Sequence, residues 1–212
     1  MGNSILARAE HKLYINKKRK KLKNKTPSII ANNCNGGFIA HDLGLAFNSP
    51  LVNAGMYAPY YIKFLSNVEH YFSQPLVRIA DDKNGWFTAQ CDDIQILLGH
   101  TKTYEEAVEN WERRKRRFDP DNMYVIFCDK MDCTYEIIKA FDELPIKHKV
   151  IFTHQPYPEF KSAFYIRGFE DQKEVGVLSD WKPGFWKRRW LDQFDSVAFL
   201  NGEIYNFSRE RK

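Results

Sequence analysis

Residues 27–45, PSIIANNCNGGFIAHDLGL, constrain the fold of this chain more than any other part of its 212 residues. Their first apolar residues predict a short strand, a turn containing Asn33, Cys34, Gly36 and Gly37 follows, and an amphipathic helix comes next. A strand, a glycine-rich turn and a helix in this order form the opening unit of many parallel α/β sheets. Ligands bind where such a strand ends, so Cys34 is the first candidate for chemistry.

The position of Cys34 has two interpretations. The first N–H groups of a helix suit an anion or an oxyanion, and a thiol at this place is expected to have a lowered pKa, which favours the reactive thiolate. Asn33, Gly36 and Gly37 would then help to bind an oxyanion. The alternative is that Cys34 is only a small residue in a tight turn.

The rest of the chain continues the alternation of strands and helices. Apolar runs at 93–100, 123–127 and 149–153 predict buried strands, and helices are predicted to begin at 103 and to cover 58–72 and 133–144. A hairpin is expected around the turn at 81–85. This order predicts an α/β fold: a mostly parallel, Rossmann-like sheet with helices on both faces. We expect one domain over 27–201, after a basic arm at 1–26 and before a tail at 202–212.

Several reactive residues follow the predicted strands. His100, Asp129 and His154 each come directly after a strand, and Asp132 lies a few residues beyond. Because parallel strands deliver their carboxyl ends to one edge, these groups are expected to meet Cys34 there. Cysteine, histidine and acid are the parts of an activated-nucleophile site. The prediction is Cys34 as nucleophile, His154 as base and Asp129 as the group that orients it.

His100 is the reserve base, and His100 and Asp132 are also candidate binding residues. Alternatively, the histidines are polar loop residues and the aspartates cap the next helix. No pair of ligands has the short spacing typical of zinc, so no metal is predicted.

The positive charge of the chain is concentrated in one segment. The net charge is +5, but residues 12–25 alone hold seven Lys and one Arg without an acid. Such a segment could contact an anionic membrane surface, whereas nucleic acid is disfavoured because only this arm would bind it. The alternative is a solvated leader. The four scattered cysteines, and the lack of a signal peptide or a long apolar run, predict a cytoplasmic protein, located at the inner face of the membrane if the arm binds there.

The aromatic and basic stretch around Trp181, Trp186, Arg189 and Trp190 also has two interpretations. Its rings and charges suit a glycan or a nucleotide. The spacing of Trp186, Trp190 and Phe194 instead predicts one buried face of a helix over 180–194.

A set of short runs is spread over most of residues 23–200. These runs are IIANNCNGG (29–37), LGL (43–45), NSP (48–50), DIQI (93–96), EEA (105–107), WERR (111–114), CTYE (133–136) and KSA (161–163). Together they resemble a bacterial family, domain of unknown function 1919. Its members often lie in exopolysaccharide or capsule gene clusters, and the resemblance implies a role in surface-polysaccharide assembly.

Asn33 and Cys34 after the first strand also resemble the coenzyme A-binding, acyltransferase-like proteins of capsule biosynthesis. That resemblance implies acyl or acetyl transfer, with a coenzyme A thioester as the candidate donor and a small molecule or glycan as the substrate. The competing hypothesis is a non-catalytic protein of the same pathway that binds a nucleotide or a glycan.

Overall fold

The computed structural model describes residues 5–81, 85–184, 187–204 and 206–207. Seven α-helices lie in these ranges: α1 (Ile5–Lys21), α2 (Asn35–Leu43), α3 (Ala58–Ser66), α4 (Val68–Ser73), α5 (Tyr104–Lys115), α6 (Tyr135–Glu143) and α7 (Ser196–Leu200). The eight strands are β1 (Ser28–Ala31), β2 (Ala54–Gly55), β3 (Val77–Asp81), β4 (Phe87–Cys91), β5 (Ile94–Leu98), β6 (Met123–Cys128), β7 (Lys149–Thr153) and β8 (Ala163–Tyr165). No helix in the described part of the chain is both long enough and apolar enough to cross a bilayer.

The predicted parallel sheet exists and contains four strands in the order β1-β6-β7-β8. Its strands are nearly continuous in apolar residues because both faces are covered. Val125 and Phe127 of β6 lie in the core cluster that also contains side chains of α3 and α6. The alternate residues Ile126 and Cys128 lie in a second cluster with side chains of α2 and α7. Helices therefore lie on both faces of this sheet.

The expectation of one mostly parallel, Rossmann-like sheet is wrong for the other four strands. They form a separate antiparallel sheet in the order β2-β5-β4-β3. The apolar run 93–100 is nearly continuous, and this pattern predicts a strand of the parallel sheet. Ile94, Ile96 and Leu98 are buried in the core that the two sheets share, so burial explains their character without parallel pairing. The tight turn at Asp92, whose φ is 53°, joins β4 and β5 as a hairpin.

The predicted hairpin of β3 and β4 is present, although residues 82–84 of its turn lie outside the described residues. Two predicted helices differ from the structure. The helix over 58–72 is divided into α3 and α4 at Asn67. The described residues within 180–194 do not form the predicted helix: Trp181 pairs with Arg189 in an isolated bridge, and a short 3₁₀ helix covers Trp190–Gln193. Trp186 lies outside the described residues.

The basic segment at the start of the chain is largely helical and contacts the folded domain. Ile15 of α1 and Leu22 just after it are buried, and Leu22 belongs to the core cluster of α2 and α7. Near its other end, Glu10 pairs with both terminal nitrogens of Arg188, at 2.6 and 2.7 Å. Helix α1 is therefore fixed to the domain along its length, and Lys12, Lys17 and Lys20 are exposed.

Candidate functional site

The turn between β1 and α2 is fixed to the neighbouring strand by a buried asparagine. The amide side chain of Asn32 accepts a hydrogen bond from the N–H of Cys128 at 3.1 Å and donates to its carbonyl oxygen at 3.4 Å. These bonds extend the pairing of β1 and β6 beyond Ala31, the last residue of β1. Cys34 follows as the N-cap residue of α2, so its thiol lies where the helix begins.

Gly36 and Gly37 have different roles in this turn. A Cβ atom on Gly36 would lie 2.9 Å from the Cβ of Ala31, so this glycine allows α2 to approach β1 closely. A Cβ on Gly37 would have an ordinary contact of 3.6 Å with Val52. Within the described part of the chain, no hydrogen bond is found to the N–H of either glycine. Both N–H groups thus keep the donor capacity typical of a first helical turn.

The side chain of Asn33 helps to form the turn, because its Oδ1 accepts a hydrogen bond from the N–H of Asn35 at 3.0 Å. The side-chain amide of Asn35 donates to the sulfur of Cys128 at 3.0 Å. The side chains of Asn33 and Asn35 both act to lower the pKa of the Cys128 thiol. Burial nevertheless raises the pKa of the Cys128 thiol to about 12. Cys128 is therefore a structural thiol.

His100 is the histidine that contacts Cys34. Its Nε2 lies 3.6 Å from the Sγ of Cys34, within the range of a sulfur hydrogen bond. His100 follows β5 of the antiparallel sheet and adopts a left-handed backbone with φ of 59°. The ring of Trp86 lies 5.4 Å from its imidazole. The two sheets thus each contribute one member of a thiol–imidazole pair.

The predicted lowering of the thiol pKa does not occur. Burial raises the pKa of Cys34 above its ordinary value because the thiolate would lose its hydration. Cys34 is therefore mainly a neutral thiol near pH 7. A base within hydrogen-bond reach is then needed to make it a nucleophile, and His100 is in that position.

A cavity of about 410 Å³ opens beside this pair, and we call it the thiol cavity. Aromatic rings form much of its wall, and it also contains cationic and amide groups. Its lining residues are Cys34, Gly37, Phe38, His41, Phe47, Asn53, His100 and Arg189.

Arg189 gives the thiol cavity a positive charge. Its guanidinium pairs with Asp42 at 2.8 Å and lies 5.6 Å from the ring centre of Phe38. It also lies 5.4 Å from the ring centre of Trp181. The Asp42 carboxylate engages only part of the guanidinium, which has five N–H donors, so Arg189 can bind an anion as well.

His154 and Asp129 form a second pair at the carboxyl edge of the parallel sheet. The Nδ1 of His154 lies 2.5 Å from Oδ2 of Asp129, which also accepts the N–H of His154 at 2.7 Å. The other oxygen, Oδ1, accepts the N–H of Val175 at 2.8 Å. Burial raises the pKa of the Asp129 carboxyl, although these hydrogen bonds act in the opposite direction. The acid and histidine therefore meet, as the sequence pattern predicted.

The structure does not bring His154 to Cys34. No hydrogen bond or ion pair joins these two residues among those described. Strand β7 lies two positions from β1 in the sheet, which is about 10 Å at the usual strand spacing. The base beside the thiol is the reserve candidate, His100.

Asp132 forms no hydrogen bond or ion pair with either pair within the described ranges. It is exposed and has a φ of 67°, and Met131 before it is also left-handed, with φ of 58°. Within the described ranges its carboxylate has no hydrogen bond or ion pair. Thr134, rather than Asp132, caps α6 by accepting the N–H of Ile137.

The sequence did not indicate Phe47 or Asn53 as residues of the thiol cavity. It drew attention to Arg189 but did not place it in this cavity. Asn53 carries a weak signal, since it stands shortly after Pro50 and asparagine tolerates the left-handed φ of 63° found here. Nothing in the sequence spacing connects Arg189 with Asp42, its partner 147 positions earlier. Among the described residues, no group of three or more His, Cys, Asp or Glu side chains has a geometry that could hold a metal ion.

Comparison with known proteins places most of the chain in one family. Residues 5–201 match the family model of a domain of unknown function, DUF1919. An uncharacterized protein of Haemophilus influenzae is 39% identical over 191 residues, which cover 90% of this chain and 92% of that protein. The match begins within α1, so the family includes the basic helix as well as the two sheets.

Proposed function

Because this chain belongs to the DUF1919 family, which has no assigned activity, we propose its function from the geometry of the site: a cysteine-dependent acyltransferase. Cys34 is the nucleophile and His100 its base. The transferred group is an acyl group such as acetyl, the donor is an acyl thioester of the coenzyme A type, and the acceptor is a hydroxyl. Acylation of a sugar during exopolysaccharide or capsule assembly is the reaction that fits this chemistry.

The observation that carries the proposal is the 3.6 Å separation of Sγ of Cys34 and Nε2 of His100 at the wall of the thiol cavity. His100 takes the thiol proton, and the resulting thiolate attacks the acyl carbon of the donor. The donor thiol leaves with the proton held by His100, and the acyl group remains on Cys34. His100 then takes a proton from the acceptor hydroxyl, whose oxygen attacks the acyl group and releases the Cys34 thiol.

Other groups of the cavity support this chemistry. The N–H groups of Gly36 and Gly37 at the start of α2 could stabilise the oxyanion of each tetrahedral intermediate. Arg189 would bind a phosphate or carboxylate of donor or acceptor, with the rings of Phe38 and Phe47 beside it. The pair of Asp129 and His154 is a structural tie in this scheme, since it fixes the loop at Val175 to the end of β7.

The test is transfer of the acyl group to the protein itself. We expect intact-protein mass spectrometry to show one acetyl group on the wild type after incubation with acetyl-coenzyme A. Cys34→Ala should abolish it and His100→Gln should slow it by about 10²-fold or more, the usual contribution of a general base. Cys133→Ser, at the other partly exposed cysteine, is the matched control and should leave it unchanged.

The competing function is non-catalytic binding of a nucleotide or glycan. The raised pKa of Cys34 and the pairing of Arg189 with two rings favour it, since a recognition site needs no thiolate. A thermal-shift screen separates the two functions. Binding of a nucleotide-sugar without acylation of Cys34 by any thioester would support the binding protein and exclude the transferase.

A further inference from the structure

The outward face of α1 carries basic residues that have no role in the proposed acyltransferase reaction. Ile15 and Leu22 are turned to the core, so Lys17 and Lys20 project to the other side, whereas Lys18 lies against the domain beside Asp192 and Asp195. Lys12, Lys17 and Lys20 are all exposed. We call these three residues together with Leu13 the basic face of α1.

An apolar side chain lies within the basic face. Leu13 is 62% exposed. Lys17 and Lys20 follow it by four and seven positions and therefore lie along the same side of the helix. Helices that lie in the interface of a membrane combine basic residues with such exposed apolar ones.

The acids near α1 come from the domain: Asp192 and Asp195 line a cavity with Lys18 and Lys20, and Glu203 pairs with Lys23. Residues 12–25 contain no Asp or Glu, and Glu10 is engaged by both terminal nitrogens of Arg188. The basic face thus keeps a net positive charge that is complementary to an anionic surface.

We propose that α1 docks this chain on an anionic membrane surface, with the lysines of the basic face over the headgroups and Leu13 inserted between them. This role is independent of the acyltransferase proposal.

The experiment is flotation of the full-length protein with vesicles of phosphatidylcholine, alone or mixed in equal parts with phosphatidylglycerol. We expect binding to the anionic vesicles only, and loss of that binding as salt is added. Replacing Lys12, Lys17 and Lys20 together by Gln should weaken it about 100-fold, because each basic residue near such a surface contributes about 1 kcal/mol. Leu13→Asn should also weaken binding to the anionic vesicles at low salt, because the inserted apolar side chain is removed.

The control is a second triple variant, Lys102→Gln, Lys147→Gln and Lys173→Gln, which removes the same charge from exposed positions elsewhere. It should bind as the wild type does. Equal binding to neutral vesicles, or equal losses in the two triple variants, would overturn the proposal. Binding to a DNA duplex but not to anionic vesicles would also overturn it and would make α1 a nucleic-acid contact.

Discussion

At Cys34 two local effects act on one sulfur in opposite directions. The start of α2 favours a negative charge by about 0.3–1 kcal/mol, as helix N-termini generally do. Burial removes water from the same sulfur, and the pKa of the thiol is raised. Burial therefore decides the ground state, and reactivity depends on the imidazole of His100 at 3.6 Å.

The raised pKa of Cys34 predicts how the rate of its alkylation changes with pH. A thiol that loses its proton less readily than a free cysteine has less thiolate near pH 7. We expect alkylation by iodoacetamide to accelerate with rising pH, with a midpoint above the pKa of an ordinary cysteine. The measurement is a pH–rate profile in a Cys133→Ser background. A midpoint below that of free cysteine would instead indicate a stable thiolate–imidazolium pair.

The two glycines that follow Cys34 predict opposite effects of the same substitution. Gly36→Ala puts a methyl group 2.9 Å from the Cβ of Ala31, and we expect it to lower the free energy of unfolding by about 1–3 kcal/mol. Gly37→Ala meets only an ordinary contact, and the better helix propensity of alanine should raise that free energy by up to about 1 kcal/mol. Urea denaturation of both variants measures the difference. Equal losses would show that α2 does not depend on close approach to β1.

At the scale of elements, Asn67 shows how a polar side chain overrides a helical pattern. The apolar spacing of Tyr61, Phe64, Val68 and Phe72 continues through it, so periodicity alone predicts one helix. Asn67 has φ of −154° and its side chain accepts the N–H of His70, which starts α4 as a new helix. This change of direction lets α3 and α4 both pack on the core, where Phe64 and Phe72 meet at 5.4 Å.

The cap at Asn67 should be measurable. Asn67→Ala removes the acceptor of the His70 N–H, and we expect the free energy of unfolding to fall by about 1 kcal/mol. Glu69→Ala changes an exposed neighbour in the same turn and should stay within about 0.5 kcal/mol of the wild type. If Asn67→Ala is neutral by chemical denaturation, the break does not depend on this cap.

Sequence predicts an element reliably where its apolar pattern has a single physical cause. Strands β1, β6 and β7 are apolar because both sides are buried, and the helices after them show one buried stripe. Strand β5 has the same apolar character for a different reason, which is burial between two sheets. Periodicity records burial and does not identify the pairing partner, so the antiparallel sheet could not be distinguished from a parallel one.

At the scale of the whole molecule, the candidate site combines predictable and unpredictable parts. The positions of Cys34 and of the Asp129–His154 pair follow from the fact that parallel strands end at the same edge of a sheet. His100 reaches Cys34 only because the second sheet packs against the turn, where the N–H of Met56 bonds to the carbonyl of Asn32 at 3.0 Å. Arg189 enters from an irregular segment that no local pattern describes. Long-range packing therefore completed the cavity, and no local signal encodes it.

The position of α1 gives a final prediction about the whole fold. Ile15 is 7% exposed and Leu13 is 62% exposed, although they lie two residues apart on one helix. If α1 is part of the folded unit, Ile15→Ala should lower the free energy of unfolding by about 2–4 kcal/mol, as large-to-small core substitutions do. Leu13→Ala should stay within about 0.5 kcal/mol of the wild type because its side chain is in water.

Chemical denaturation of the two variants measures this contrast on a single helix. A free basic arm would give two neutral substitutions, and that result would separate α1 from the domain. A large loss for Ile15→Ala alone would mean that α1 holds its lysines on a rigid surface. Membrane docking and the stability of the sheets would then depend on opposite sides of the same helix, so a substitution on one side can be tested without disturbing the other.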